Sequence, residues 1–206
     1  ELSAARWETE QGQFFTGIIH DITGRKQHEQ ELQDSREGLQ RLLNSMAEGA
    51  YGVDTQGNCT FVNRAFLEML GYPSADLVIG RHIHALIHHS HDDGSLYPAS
   101  ECRMYRAFIA GEPSHVADEV FWHRNGSAIA AEYWSNPIVN KGEVVGAICT
   151  FIDITERKTA EAQLRKLSLA VEQSPESIVI TNLKAEIEYV NDAFVAATVY
   201  SRDEVI

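Results

Sequence analysis

Residues 59–66 read CTFVNRAF, and this stretch decides the fold because it changes from one secondary structure to another within a few positions. Its first half is a short run of apolar and β-branched residues that is typical of a strand. From Ala65 onward the apolar side chains recur at helical spacing, which predicts a helix. Asn63 lies at the junction and is well placed as an N-cap, because its side chain can accept hydrogen bonds from free backbone N–H groups.

The strand in this stretch has a partner immediately before it. Residues 50–53 (AYGV) form a second short apolar run, and residues 54–57 (DTQG) between the two runs are typical of a turn. The segment therefore predicts a β-hairpin that leads directly into a helix.

The same pattern occurs again 128 residues later, where residues 189–194 read YVNDAF. A second repeat relates residues 21–26 (DITGRK) to residues 153–158 (DITERK), at an offset of 132. A period of about 130 residues is too long for a solenoid unit and fits tandem copies of a small domain. The domains that this predicts are the end of one copy at residues 1–24, a complete copy at residues 45–157 and the start of a third copy at residues 173–206.

The remainder of the complete copy predicts a helix and then strands. The helix is expected over residues 100–110, and three strands are expected over residues 116–123, 128–134 and 144–152. Asn125 and Gly126 form the strongest short hairpin signal between the first two of these strands. Together with the opening hairpin, this predicts an α+β fold in which a five-stranded antiparallel sheet carries helices on one face.

Two charged segments, residues 25–44 and residues 158–172, connect the copies. Their apolar residues recur at coiled-coil spacing, so both segments are predicted to be amphipathic linker helices. The residues that form this pattern are Leu32, Leu39, Leu42, Leu43, Met46, Leu164, Leu167 and Val171. We expect the linker helices to carry a homodimer, and we expect the chain to be a slice of a longer modular protein.

Composition excludes several classes of partner and site. Seventeen Lys and Arg residues against 30 Asp and Glu residues give a net charge of −13, which repels phosphate backbones, so no nucleic-acid partner is expected. No run approaches the roughly 18 apolar residues of a membrane span, and no leader is visible, so a cytoplasmic location is expected, with any anchor elsewhere in the parent. Cys59, Cys102 and Cys149 are widely spaced, which indicates neither a disulfide framework nor a thiolate zinc site.

Three ordered features of the complete copy resemble the PAS family of bacterial sensor domains. They are residues 61–66 (FVNRAF), Gly71 and Tyr72 followed by residues 76–80 (DLVIG), and residues 153–158 (DITERK), which correspond to the family's usual exit into a linker helix. The resemblance implies a PAS-like five-stranded antiparallel sheet, a helical face that can enclose a ligand, and signalling through linker helices.

The resemblance makes the strand-to-helix corner at Asp153 and Thr155 the point where changes in the pocket reach the linker. Thr155 is predicted to cap the following helix, and Asp153 is predicted to anchor the corner through hydrogen bonds. Asp21 and Thr23 are the matching residues of the preceding copy.

As a function, the resemblance implies the sensory input module of a bacterial two-component or cyclic-dinucleotide pathway. A ligand or cofactor would bias a downstream domain of the same chain, either the histidine kinase of a phosphorelay or a diguanylate cyclase or phosphodiesterase. The alternative is an unliganded PAS array that serves as a dimerisation and spacer module. The fragment itself is not expected to be an enzyme, because it contains no phosphate-binding loop, nucleophile elbow or zinc-protease motif.

Histidines cluster in the least regular part of the complete copy. Five of the nine lie at His82, His84, His88, His89 and His91. Imidazole binds iron, zinc and copper, and some PAS relatives hold haem through a histidine in this region. His88, His89 and His91 are therefore candidates for an axial haem ligand, and His84 and His88 have the spacing of a two-histidine metal site.

The opposing interpretation of the histidines is a polar surface loop. No thiol or carboxylate stands at a fixed ligand spacing from them in the sequence, so no firm metal site is predicted.

Flavin is the second cofactor that the resemblance suggests. The light-sensing LOV branch forms a flavin adduct with a cysteine, whereas residues 80–83 read GRHI and contain no thiol, so a LOV-type adduct is not expected. A non-covalent flavin would stack on Trp122 or Trp134. The alternative is that both tryptophans pack the sheet against the helices or a partner.

Overall fold

A computed structural model describes residues 2–9, 12–19 and 21–206 of the chain. Within these residues the strands are β1 (Leu2–Thr9), β2 (Gly12–Ile19), β3 (Gly49–Asp54), β4 (Cys59–Val62), β5 (Ser114–Trp122), β6 (Ala128–Asn140), β7 (Glu143–Asp153), β8 (Val179–Thr181) and β9 (Ile187–Val190). The helices of the same residues are α1 (Thr23–Ser45), α2 (Arg64–Leu70), α3 (Ile83–Ile87), α4 (Arg103–Ala110), α5 (Thr155–Glu172), α6 (Asp192–Thr198) and α7 (Arg202–Val205). None of these helices has the length and the hydropathy that crossing a membrane requires.

Five strands form one antiparallel sheet in the order β4-β3-β7-β6-β5. Helices α2, α3 and α4 pack against this sheet and enclose the hydrophobic core. The largest apolar side chains of the core are completely buried and are Tyr51, Phe66, Phe121, Tyr133 and Phe151. The predicted α+β fold with a five-stranded antiparallel sheet is confirmed.

The predicted linker segments are helical, and each helix begins earlier than the sequence pattern predicts, α1 at Thr23 and α5 at Thr155. The helix predicted over residues 100–110 begins instead at Arg103. The start differs because the Pro98 carbonyl accepts hydrogen bonds from the N–H groups of Glu101 and Cys102, which form a turn before the helix.

Two further hairpins stand outside the central sheet. Strands β1 and β2 pair with each other, and β8 pairs with β9 before α6 begins. The order β8, β9, α6 repeats the order β3, β4, α2, and the assignment of residues 173–206 to a following copy stays a prediction. The preceding copy predicted at residues 1–24 includes positions 1, 10, 11 and 20, which lie outside the described residues.

Asn63 is the N-cap of α2, as the sequence predicts, because its Oδ1 accepts a hydrogen bond from the N–H of Phe66 (2.9 Å). The same oxygen accepts from the N–H of Ala50 on β3 (2.8 Å). Its Nδ2 donates to the carbonyls of Leu43 in α1 (3.0 Å) and of Glu48 (2.8 Å). One buried amide therefore joins the end of the linker helix α1 to the first strand and the first helix of residues 45–157 (the complete unit).

Candidate functional site

A small cavity lies inside the complete unit, where α3 and the start of α4 face β3. Its volume is about 20 Å³, which accommodates one water molecule or one ion. Three polar side chains, His84, His88 and Cys102, contribute to its lining, and all three are buried. Polar groups are costly to bury unless they are paired, so this cluster is the candidate functional site.

The amphipathic pattern of α3 positions the two histidines. Ile83 and Ile87, four residues apart, are buried in the core and anchor one side of this short helix. His84 and His88 each follow one of these anchors, and His88 is the C-cap residue of α3. Because residues four apart lie on one helix face, the two rings are brought together, with centroids 5.6 Å apart.

His84 is held by the backbone of a neighbouring loop. Its Nε2 lies 2.7 Å from the Tyr97 carbonyl oxygen, which can only accept, so this nitrogen carries the proton. Nδ1 of the same ring is buried and has no hydrogen-bond partner within the part of the chain that the structure describes. The ring therefore keeps a free lone pair inside the core.

His88 stands between a thiol and a carboxylate. Its Nδ1 lies 3.3 Å from Sγ of Cys102, and its Nε2 lies 3.6 Å from Oε1 of Glu119 on β5. The ring is almost completely buried and meets the rings of Tyr97 and Phe121 edge-on, with centroids 4.9 and 5.3 Å away. This packing fixes the orientation of the imidazole.

The packing of these groups shifts the pKa values of Cys102, His88 and Glu119. Burial alone would raise the pKa of the Cys102 thiol, but the neighbouring rings of His84 and His88 lower this pKa to about 6. Burial would lower the pKa of His88, whereas Cys102 and Glu119 raise it to about 9. Burial also opposes ionisation of Glu119, but His88 holds the pKa of this carboxyl below its ordinary value. The negative charges of Cys102 and Glu119 and the positive charge of His88 therefore stabilise one another in the metal-free core at neutral pH.

We expect the metal-free protein to contain one thiolate at neutral pH. In a pH titration of the ultraviolet thiolate absorbance, with a chelator present, Cys102 should lose half of its signal near pH 6. Burial raises the pKa of Cys59 to about 11 and that of Cys149 to about 12, so neither contributes at neutral pH. Cys102→Ser should abolish the neutral-pH signal, and a titration near the ordinary thiol value of 9.0 would contradict the expectation.

The three axial candidates for haem do not converge on one site. Only His88 reaches the cavity. His89 is hydrogen-bonded to Ser90 Oγ (2.8 Å), and the exposed His91 lies against Tyr97 with ring centroids 4.4 Å apart. A cofactor pocket measures roughly 300–1,000 Å³, so haem does not fit the residues as the structure arranges them.

Trp122 and Trp134 do not line the cavity. Trp122 donates from Nε1 to the Ser90 carbonyl (2.8 Å) and stacks on His89. Trp134 follows the buried Tyr133 on β6, and because side chains alternate along a strand it lies on the opposite face of the sheet. There it stacks on His115, so neither tryptophan is placed to stack on a flavin in this cavity.

Sequence reasoning missed Cys102 and Glu119. These two residues supply the thiol and the carboxylate that no fixed spacing in the sequence reveals. Cys102 directly precedes α4 and Glu119 lies on β5, so only the packing of separate elements brings them to His88. The one available signal was a single cysteine shortly after the histidine-rich stretch.

The corner between β7 and α5 differs from the predicted capping arrangement. The prediction that the Thr155 side chain caps α5 is wrong, because Thr155 is the first helical residue and its Oγ1 accepts from the N–H of Ala130 on β6 (3.1 Å). Asp153 does anchor the corner, since its Oδ1 accepts from the N–H of Thr155 (2.8 Å). Asp21 makes the same bond to the N–H of Thr23 (2.9 Å) before α1.

Ion pairs connect the first turn of α5 to the sheet. Arg157 contacts Glu132 of β6 at 2.9 Å, and Lys158 pairs with Asp118 of β5. The buried Ile154 also donates from its N–H to the carbonyl of Ala130 (2.8 Å). The beginning of α5 is therefore fixed to β6 and β5, the two strands at one edge of the sheet.

Comparisons with known proteins agree with this architecture. A family model described as "PAS fold" matches residues 37–154, and one described as "PAS domain" matches residues 175–206. No curated protein sequence matches the chain.

Solved structures show the same fold at low sequence identity. The PAS domain of an HTR-like protein from Haloarcula marismortui is 21% identical with a TM-score of 0.51, and the match covers 63% of this chain and 99% of that domain. An RNA-binding light-oxygen-voltage receptor is 23% identical with a TM-score of 0.53, and the match covers 65% of this chain. The match spans only 37% of the receptor's own length. Because the PAS fold model matches more than half of the chain, this protein belongs to the PAS family.

Proposed function

We propose that this chain is the sensory input region of a signalling protein. Its PAS unit at residues 45–157 binds a small ligand in the cavity beside His88 and relays the change through α5 to a downstream domain. Membership of the PAS family, whose domains are typically non-catalytic sensory modules, supports the sensory role. The downstream domain in this proposal is a histidine kinase or a cyclic-dinucleotide enzyme.

The observation that carries the proposal is the position of two adjacent residues on β6. Tyr133 points into the core, where its ring lies 6.3 Å from that of His88. Glu132 points to the other face and binds Arg157 of α5. A displacement at the cavity therefore reaches the linker helix across a single peptide unit of the sheet.

The linker helices present apolar side chains that the described residues leave exposed. Leu164 and Leu167 of α5 are 68% and 64% exposed, and Leu32 of α1 is 65% exposed. An isolated helix of this length is marginal in water, so such a stripe is stabilised by a partner. The partner in our proposal is the same helix of a second chain in parallel, which makes the module a homodimer.

The alternative function is an unliganded array that sets dimerisation and spacing. The small cavity favours this alternative, since about 20 Å³ leaves no room for a metabolite-sized ligand without rearrangement. The two functions differ in whether the output depends on the helical phase of α5.

We expect the output of the full-length parent to depend on the phase of α5. One alanine inserted after Ala162 rotates everything downstream by about 100°, which should disturb the output. Seven inserted residues return the coiled-coil seam to its register and should largely restore it. The measurement is the kinase or cyclic-dinucleotide activity of the parent with and without the insertions. An output that is indifferent to insertion length would favour the passive spacer.

A further inference from the structure

The buried cluster provides the donor set of a transition-metal site. A ring nitrogen of His84, a ring nitrogen of His88 and Sγ of Cys102 all lie within 4.8 Å of one another. Zinc binds imidazole nitrogen at roughly 2.0–2.1 Å and thiolate sulfur at about 2.3 Å, so tetrahedral ligands lie about 3.5 Å apart. The 3.3 Å between Cys102 Sγ and His88 Nδ1 is close to this separation.

A polar group faces the outer nitrogen of each histidine, as in most metal-ligating histidines, although only His84 is within hydrogen-bond distance of its partner. The proton on Nε2 of His84 is directed to the Tyr97 carbonyl, which leaves Nδ1 as the nitrogen with a free lone pair. On the other ring, Nε2 faces the carboxylate of Glu119 at 3.6 Å, while Nδ1 faces Cys102. A carbonyl or carboxylate on the outer nitrogen fixes the tautomer and raises the basicity of the inner one.

An unpartnered group points to an ion in the cluster. His84 is about nine-tenths buried, and among the described residues its Nδ1 has no hydrogen-bond partner. A buried acceptor without a donor is destabilising, whereas a metal ion between the three donors would satisfy it. The adjoining cavity of about 20 Å³ has room for one further water-sized ligand.

We propose that His84, His88 and Cys102 bind one divalent metal ion of the zinc class, with the two histidines ligating through Nδ1, Cys102 through Sγ and a water molecule from the cavity in the fourth position. Mixed nitrogen and sulfur donors select zinc-class ions over magnesium or calcium. Three protein ligands with one open position leave the ion accessible to exchange with a small ligand.

The site would couple metal occupancy to the sheet. It joins α3 to the residue that directly precedes α4, and α4 packs on β6 and β7, which lead into α5. Metal binding would therefore favour one placement of α4 over another. This consequence rests on the sensory function proposed above, whereas the metal site itself does not.

The test uses the whole chain after treatment with a chelator. Calorimetric titration with Zn²⁺ should give one equivalent, and Co²⁺ should give a sulfur-to-cobalt charge-transfer band. Cys102→Ser should remove this band and weaken Zn²⁺ binding by more than about 100-fold, since even outer partners of a metal site contribute 10–100-fold. Glu119→Gln, which changes such an outer partner, should weaken binding about 10- to 100-fold.

The matched control is His91→Gln, which removes an exposed histidine of the same segment and should leave the affinity unchanged. If Cys102→Ser does not fold, as judged by circular dichroism, His84→Gln and the cobalt spectrum of the unaltered protein decide the question. Absence of stoichiometric Zn²⁺ binding, or a cobalt spectrum without the thiolate band, would overturn the site. If Zn²⁺ does not bind but the output depends on the phase of α5, the sensory function stands with another ligand. If Zn²⁺ binds but the output does not depend on the phase of α5, the metal site stands and the sensory function fails.

Discussion

Replacing Asn63 with alanine should lower the free energy of unfolding of the complete unit by roughly 3 kcal/mol. The substitution removes the N-cap of α2, which is worth about 0.5–2 kcal/mol in comparable helices. It also leaves the N–H of Ala50 and the carbonyls of Leu43 and Glu48 without their partner. Buried groups that lose a hydrogen bond cost about 1–3 kcal/mol each, and partial access of water reduces this sum.

The matched control for this substitution is Asn191→Ala. Asn191 caps α6 through the N–H of Phe194 and donates to the carbonyl of Val171 at the end of α5. Among the described residues from 173 onward, only Val190 and Asn191 are buried, so this region adds little to the main unfolding transition. Urea unfolding followed by tryptophan fluorescence should therefore show a large shift for Asn63→Ala and a small one for Asn191→Ala. Equal shifts would refute a special role for Asn63.

Gly146→Ala should destabilise the sheet by at least about 3 kcal/mol, at or above the upper end of ordinary overpacking. Gly146 lies on β7 with φ +159°, opposite Asp54 of β3. A Cβ at this position would lie 2.2 Å from the Val53 carbonyl oxygen. That oxygen belongs to the backbone of a buried strand, so the strands themselves would have to separate.

Gly142→Ala isolates this steric effect. Gly142 lies in the turn that precedes β7 and has φ +87°, and a Cβ added there would meet no atom of the described residues within 4 Å. Its substitution should cost only the backbone strain of a left-handed residue, about 1–2 kcal/mol. The comparison is the difference in thermal or urea midpoint between the two variants. If Gly142→Ala proved as damaging as Gly146→Ala, backbone conformation and not the contact with Val53 would be the cause.

Local patterns predicted the fold well, because the elements of this unit are set by short-range signals. The hairpin before Asn63 and the cap itself follow from alternation, turn residues and an amide at the right position. Thr155 was misassigned because it is the first residue of α5, and its hydroxyl accepts from the N–H of Ala130 on β6. That contact joins residues 25 positions apart, so local propensity does not reveal it.

The candidate site was predicted only in part. The pairing of His84 with His88 follows from helical spacing. The approach of Cys102 and Glu119 depends on how α4 and β5 pack around α3, which is a property of the tertiary structure. The small volume of the cavity, which decides against haem, also emerges only from packing.

The joints at the two ends of the linker helices suggest how such a chain can evolve. Asn63 binds the carbonyl of Leu43, and Asp153 binds the N–H of Thr155, so each of these two hydrogen bonds contacts only the backbone of its helix. Backbone groups are the same in every helical sequence. A duplicated or transplanted unit would therefore keep these two bonds with any helical linker, whereas its ion pairs from α5 to the sheet would require side chains such as Arg157 and Lys158.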